Sequence, residues 1–264
     1  MKIENKTIWI TGASSGIGKA LAIEMSKYNT SLILSSITDN ELIEVTKTCK
    51  KNGAKCFPIA FDLESPESIN NAIEKVFEVH SKIDILVNNG GISQRAFAVD
   101  TDFSVDRKIM EINYFAAVNL TKAVLPKMVA QKSGHLVAVS SISGKFGFPL
   151  RSAYAASKFA IVGFFETLYF ELKQHNINVS MIFPGRVNTN ISKNALLKDG
   201  STHGKMDDGQ AGGISAEKCA KQMIMAIQKN RKETLIGGKE LFMVHIRRFF
   251  PSIFNKIVNK IKPT

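Results

Sequence analysis

The chain is poor in the residues that make covalent staples and metal sites. Its 264 residues include three cysteines, five histidines and one tryptophan. Cys49, Cys56 and Cys219 have neither disulfide nor metal-ligand spacing, and the histidines form no cluster. Reduced structural thiols in a cytoplasmic protein without a metal are therefore expected. No apolar run reaches eighteen residues, which excludes a hydrophobic helix spanning a bilayer. A strand-like segment, Thr7 to Gly12, starts almost at Met1 and leaves no room for a signal peptide ahead of it. No repeat or low-complexity tract appears. The formal charge is +12, yet the first 238 residues hold no basic run. From Lys239 onward six Lys/Arg face one acid, so +5 belongs to the last 26 residues. This distribution speaks against a nucleic-acid groove and makes basicity a local property of the tail.

What is present is alternation. Apolar residues make up 44% of the chain, and its length suits one large α/β domain. Strands are expected at Thr7 to Gly12, Ser31 to Ser36, Lys55 to about Asp62, Ile83 to Gly91, His135 to Ser141, Ile177 to Gly185 and Glu233 to Gly238. Helical patterns separate them. One long helix should run from Ser104 to Lys132, bent at Pro126, and another should carry Tyr154 to about Gln174. Strands apolar throughout and alternating with helices predict a parallel sheet covered on both faces. The expected fold is a single three-layer, doubly wound Rossmann domain over residues 1–240. The irregular stretch from Asn190 to Gly213, with five glycines, suits a lid beside a site over about 190–214. Residues 241–264 follow as an amphipathic basic tail.

Two constellations carry chemistry. TGASSGIG places Gly12, Gly16 and Gly18 directly after the first strand and at the opening of a helix. Gly12 permits a tight turn, Gly16 lets backbone approach a pyrophosphate, and Gly18 allows close helix–strand packing. Downstream, Tyr154 and Lys158 stand four apart in an Ala-rich helical run, so both project from one face. A nearby ammonium favours the phenolate of a tyrosine. Ser141, thirteen residues earlier at a strand end, can converge with the phenol on one carbonyl oxygen, as a reductase or dehydrogenase site requires. On its own, YxxxK spacing is as easily an ordinary helix surface.

TGASSGIG, Asp62, Asn88-Asn89-Gly90-Gly91, Asn113, Ser141, Tyr154, Lys158 and Pro184-Gly185 together resemble the marker set of the short-chain dehydrogenase/reductase family, in order and spacing, over residues 7 to 190. NNGGIS, SAYAASK and the segment following Pro184 are most similar to the member 7B group of that family. Gly90 departs from the usual NNAG, and a smaller residue should be tolerated there. The resemblance implies hydride transfer between a nicotinamide and a carbonyl or secondary alcohol carbon. It implies Tyr154 as general acid/base, Lys158 as the group that lowers its pKa and holds the ribose, Ser141 on the substrate oxygen and Asn113 in a proton relay. It assigns Ser14, Ser15 and Ile17 to the glycine turn, and Asp62 and Leu63 to the adenine region. Asn89 and Gly90 fall beside the ribose, and Pro184, Gly185, Val187 and Thr189 near the carboxamide. Asn88, Asn89 and Asp62 also suit plain turn formation.

The coenzyme preference turns on the end of the second strand. Ser35-Ser36 stand where an NAD enzyme carries an acid, with none before Asp39, and Ser15 stands where an NADP enzyme often carries Lys or Arg. Ser36 can bond a 2′-phosphate with nothing nearby to repel it, which favours NADP over NAD. Rival readings are a non-catalytic dinucleotide sensor, which would have lost the Tyr or Lys, and an epimerase or enoyl reductase, which chain length, glycine spacing and Tyr–Lys interval disfavour. Phe146, Phe148, Pro149 and Leu150 suit an apolar pocket wall or simple core packing, and a lipophilic ketone or alcohol is the expected substrate. FAIVGFFETLYFEL, after Lys158, is apolar on nearly every face. A partner helix should cover it, as in the family's homodimers and homotetramers. In the tail, Ile246, Phe249, Phe250, Ile253, Phe254, Ile257, Val258 and Ile261 form a stripe beside Arg247, Arg248, Lys256 and Lys260. It suits docking on the protein or peripheral contact with a membrane, as two helices with the second opening at Pro251.

Overall fold

The computed structural model describes residues 2–37 and 39–258. Its strands are β1 (Thr7–Thr11), β2 (Ser31–Ser36), β3 (Lys55–Ala60), β4 (Ile85–Asn88), β5 (Gly134–Val139), β6 (Ile177–Pro184), β7 (Val187–Asn188), β8 (Ile214–Ser215) and β9 (Glu233–Ile236). Seven of them make one parallel sheet in the order β3-β2-β1-β4-β5-β6-β9. The helices are α1 (Gly16–Met25), α2 (Asp39–Lys51), α3 (Pro66–Val79), α4 (Phe103–Met110), α5 (Ala116–Gln131), α6 (Ser152–Glu171), α7 (Asp208–Ala211), α8 (Ala216–Gln228), α9 (Phe242–Phe249) and α10 (Pro251–Val258). No helix among the described residues is long and apolar enough to cross a membrane.

The period of two along each strand explains the three layers. Ile8 and Ile10 of β1, with Leu32 and Leu34 of β2, pack against α1, α2 and α8. Trp9 and Ile33, one residue out of phase, pack with α3, α5 and α6 on the opposite face. Both faces are apolar because both are covered, and this is the expected doubly wound architecture in a single domain. The strand order reverses between β1 and β4, where a doubly wound sheet opens a crevice at its carboxyl edge.

Several boundaries differ from expectation. β3 stops at Ala60, β4 is confined to Ile85–Asn88, and β9 ends at Ile236. In each case the flanking Asp, Asn or Gly residues leave the ladder for turns. α6 ends at Glu171, followed by a 3₁₀ turn over Lys173–His175. The long helix is interrupted not at Pro126, through which α5 continues, but at a π-helical turn over Glu111–Phe115. There the N–H of Ala116 donates to the carbonyl of Glu111 five residues back. At the base of the expected lid, β7 pairs with β8, tying residues 187–188 to 214–215.

The tail forms two helices, and α10 opens at Pro251. Its stripe is divided. Phe254 is buried, edge-to-face on Phe146 at 5.1 Å, whereas Phe242, Phe249, Phe250 and Ile253 are exposed. Lys260 and Ile261 lie outside the described residues.

Candidate active site

A cavity of about 620 Å³ opens at the carboxyl edge of the sheet, over the crossing between β1 and β4. Its floor is a web of short bonds at the end of β1. Thr11 Oγ1 accepts the backbone N–H groups of Asn89 (3.0 Å) and Gly90 (2.9 Å), and the Asn89 amide donates to the Thr11 carbonyl (2.9 Å). Gly12 has φ +64°, and a Cβ there would stand 2.8 Å from the Gly90 Cα, so the two turns touch backbone to backbone. Gly18 does not line the cavity; a Cβ on it would overlap the Gly12 carbonyl, which lets α1 begin directly against β1. Ser15 is the residue before α1 and makes no side-chain cap bond. The helix therefore presents amide N–H groups without a side-chain acceptor, and Ser15, Gly16 and Ile17 line the cavity. That chemistry fits a pyrophosphate.

Ser14, Ser36, Asp62, Leu63, Asn89, Gly90, Pro184, Gly185, Val187 and Thr189 line the same cavity. Ser14 and Ser36 are bonded hydroxyl to hydroxyl at 2.7 Å. Asp62 also serves its own turn, accepting the Glu64 N–H at 2.8 Å. Asn88 ties β4 to α5 through Thr121 at 3.1 Å. Leu63 occupies the space that a methyl group on Gly90 would need, so glycine and leucine are paired at this departure from the usual motif. Glu41, near the start of α2, also lines the cavity, which the sequence did not suggest. An acid therefore lines this cavity together with Ser36.

At the other end stand Ser141, Tyr154 and Lys158. Ser141 follows β5, and its Oγ accepts the Ser143 N–H at 3.1 Å. Tyr154 and Lys158 lie one turn apart on α6, with the Lys158 ammonium 5.8 Å from the phenol ring centre. Lys158 Nζ donates to the Val139 carbonyl at 3.0 Å. Burial lowers its pKa to about 8, because an ammonium withdrawn from water is disfavoured. Ser140 bonds the Lys158 carbonyl at 3.0 Å and so holds α6 to β5.

Asn113 sits within the π-helical turn, behind Lys158 and outside the cavity lining. Its amide clasps Ile92, accepting the N–H at 2.8 Å and donating to the carbonyl at 3.0 Å, and it donates to Ser157 at 2.9 Å. A Cβ on Gly91 would stand 2.9 Å from Asn113 Oδ1 and 3.5 Å from Lys158 Nζ, so Gly91 separates the two side chains. Among the described residues no group of three His, Cys, Asp or Glu could hold a metal ion.

A family model described as short chain dehydrogenase matches residues 6–199. The chain belongs to the short-chain dehydrogenase/reductase family. It is 40% identical to dehydrogenase/reductase SDR family member 7B of Mus musculus over 261 residues, covering 97% of this chain and 81% of the relative. It is also 40% identical to dehydrogenase/reductase SDR family protein 7-like of Anopheles gambiae, covering 98% and 83%. Among solved structures, a short-chain dehydrogenase/reductase from Burkholderia phymatum in complex with NAD superposes with a TM-score of 0.84 at 22% identity, covering 100% and 99% of the two chains. Membership of this family makes the chain an oxidoreductase by kind.

One further group was not legible beforehand. Arg151, immediately before α6, lines the main cavity beside Tyr154. It also lines a smaller adjoining cavity with Phe146, Phe148 and Met243 of the tail.

Proposed function

We propose that this protein transfers hydride between a nicotinamide dinucleotide, NADP(H) in preference to NAD(H), and the carbonyl or secondary alcohol carbon of a lipophilic small molecule. The observation that carries the reading is that Ser141, Tyr154 and Lys158 line one cavity with the glycine turn at the start of α1. The coenzyme, when bound, supplies or accepts the hydride. Gly12, Ser14, Ser15, Gly16 and Ile17 would hold its pyrophosphate, Ser36 its 2′-phosphate, and Asp62 and Leu63 its adenine. Asn89, Gly90 and Lys158 would take the ribose side, and Pro184, Gly185, Val187 and Thr189 the carboxamide.

Tyr154 gives a proton to the substrate oxygen in reduction and takes one from it in oxidation. Lys158 sets its ammonium 5.8 Å from the phenol ring centre, one helical turn away. The Ser141 Oγ already accepts from Ser143, and among the described residues its other bond is a long one, 3.5 Å, to the Pro184 carbonyl. Its proton is thus available to a substrate oxygen on which charge develops. Asn113 fixes Ile92 and the turn beside Lys158, where a relay of protons from solvent would run. The non-catalytic alternative gains nothing here, because all four positions are kept.

Phe146 and Phe148 on the smaller cavity support an apolar substrate. Exposed Phe159 and Phe170 on α6, with Phe115 just before α5, support a homodimer or homotetramer through these helices, which sedimentation at micromolar concentration would refute by giving a monomer mass. The exposed aromatics and arginines of α9 support peripheral contact with a membrane. The central test is Tyr154→Phe: coenzyme binding stays near normal, and kcat on a panel of lipophilic ketones falls by about a hundredfold or more. Retention of more than a tenth of wild-type kcat would sink the assignment.

A further inference from the structure

We infer that Arg151 is an anion-recognition residue, so that the substrate carries an oxyanion, a carboxylate or phosphate monoester, a few bonds from the reacting carbonyl. The inference rests on the hydride-transfer reading of the same cavity. It narrows the substrate from lipophilic in general to amphiphilic with a charged end.

The argument starts from charge. Arg151 is largely withdrawn from water, its side chain 14% exposed, and it stacks on Phe148 with the guanidinium carbon 4.7 Å from the ring centre. Its bond to a carboxylate is a long one, from Nη2 to Asp207 Oδ2 at 3.4 Å. That oxygen is already taken by Arg95, whose Nε donates to it at 3.0 Å and whose Nη2 also reaches it. Arg95 is itself buried and further bonded to Ser93 and the Gln94 carbonyl. Two guanidiniums therefore share one carboxylate, and Arg95 holds the better part of it. His203 stands 3.7 Å from the other Asp207 oxygen, adding no negative charge. Arg186 is also beside this pocket, while Glu240 is engaged with the backbone N–H groups of Arg186 (2.8 Å) and Gly238 (2.9 Å). By formal charge Arg95, Arg151 and Arg186 outnumber Asp207 and Glu240, so a net positive charge remains at the substrate end; Arg151 Nε and Asp207 Oδ1 are both buried without a hydrogen-bond partner among the described residues. A buried donor of that kind is costly unless something else completes it.

The backbone delivers this side chain deliberately. Leu150 has φ +66°, a left-handed conformation uncommon for leucine, and its carbonyl accepts the Ala96 N–H at 3.2 Å. Arg151 then takes φ −137°, ψ 35° before α6 begins. These two residues turn the chain so that the guanidinium faces the cavity, 5.9 Å from the Tyr154 ring centre. A substrate whose carbonyl meets Tyr154 and Ser141 would bring a nearby oxyanion to Arg151. The forked N–H groups match carboxylate and phosphate alike, and the Phe146–Phe148 wall takes the apolar remainder.

The test uses the full chain saturated with coenzyme, and unreactive ligands of one chain length: decanoate, decyl phosphate and decanol. The change in fluorescence of the bound coenzyme on titration reports binding. At least one anion should bind about tenfold or more tightly than the alcohol. Arg151→Gln should erase that ratio while decanol binding stays within about threefold, and Arg151→Lys should keep part of it. The stronger of the two anions tells carboxylate from phosphate. Tyr154→Phe should leave the ratio unchanged, which separates this inference from the hydride-transfer reading. Should the alcohol bind as well as both anions, or should the anion preference survive in Arg151→Gln, Arg151 is a structural residue and the inference is overturned.

Discussion

The two ends of the cavity are built from different materials. The end under β1 and β4 is backbone: Gly12 against Gly90, Gly18 against the Gly12 carbonyl, and the open amides of α1. The end around Tyr154 is side chains gathered from distant segments: Ser141 after β5 and Arg151 before α6 line it, and behind Arg151 stand Asp207 before α7 and Arg95 after β4. A backbone-built end suits a ligand whose shape never varies. A side-chain-built end can be re-lined without disturbing the sheet, and substrate choice can reside there.

If that contrast is real, adding one methyl group should separate the ends sharply. Gly18→Ala would drive a Cβ into the Gly12 carbonyl and the Asn89 amide. Overpacking of this sort costs about 1–3 kcal/mol, and because the displaced groups are the cavity floor, coenzyme binding should weaken by more than about tenfold. Gly147, on the loop between Ser141 and Tyr154, has nothing within 4 Å of a Cβ. Gly147→Ala should leave the unfolding midpoint and coenzyme affinity unchanged. Thermal melts and fluorescence titration of both variants decide the matter, and equal effects would erase the distinction.

The tail sharpens the comparison within the side-chain-built end. Phe254→Ala removes a buried ring on Phe146 and should cost about 3 kcal/mol, read as a lower unfolding midpoint. A Phe249→Ser/Phe250→Ser double variant touches exposed rings and should change stability by no more than about 0.5 kcal/mol. It should nevertheless lose salt-sensitive co-sedimentation with vesicles containing anionic lipid, to which Arg247 and Arg248 beside those rings are suited. Wild-type protein that stays in the supernatant with such vesicles would remove membrane contact from the reading.

The same difference in construction governs what could be read in the sequence. Glycine spacing after a β-branched strand is local, so TGASSGIG declared the turn, and period-two apolar strands declared a sheet covered on both faces. Tyr154 and Lys158 were legible because one helical turn brings them together. Asn113 was visible as a family marker, but the π-helical turn that holds it leaves no periodic signature in five residues. Two-residue strands such as β7 and β8 carry no pattern at all. Arg151 went unnoticed because its environment depends on Asp207, 56 positions away, and on Arg95, 56 positions in the other direction. Glu41 lay just beyond the strand end where an acid was sought, and α2 brings it back to the cavity.

The smallest effect concerns the corner of the coenzyme end where two hydroxyl side chains face the ligand. Ser14 and Ser36 pair their hydroxyls at 2.7 Å, a donor-rich corner suited to a 2′-phosphate, while Glu41 lines the same cavity and opposes a second negative charge. The two influences have opposite sign, and both act across a partly solvated gap where a charge is worth about 1 kcal/mol or less. Wild-type protein should therefore bind NADPH more tightly than NADH by only a modest ratio. Glu41→Gln should raise that ratio by about threefold, and Ser36→Asp, which supplies an acceptor for the ribose hydroxyls and repels phosphate, should reverse it. Both follow from titrating the two coenzymes by fluorescence at fixed ionic strength. Tighter binding of NADH to the wild type would overturn the preference. A ratio indifferent to Glu41→Gln would show that its carboxylate is directed away from the phosphate position, leaving the serine pair as the sole determinant.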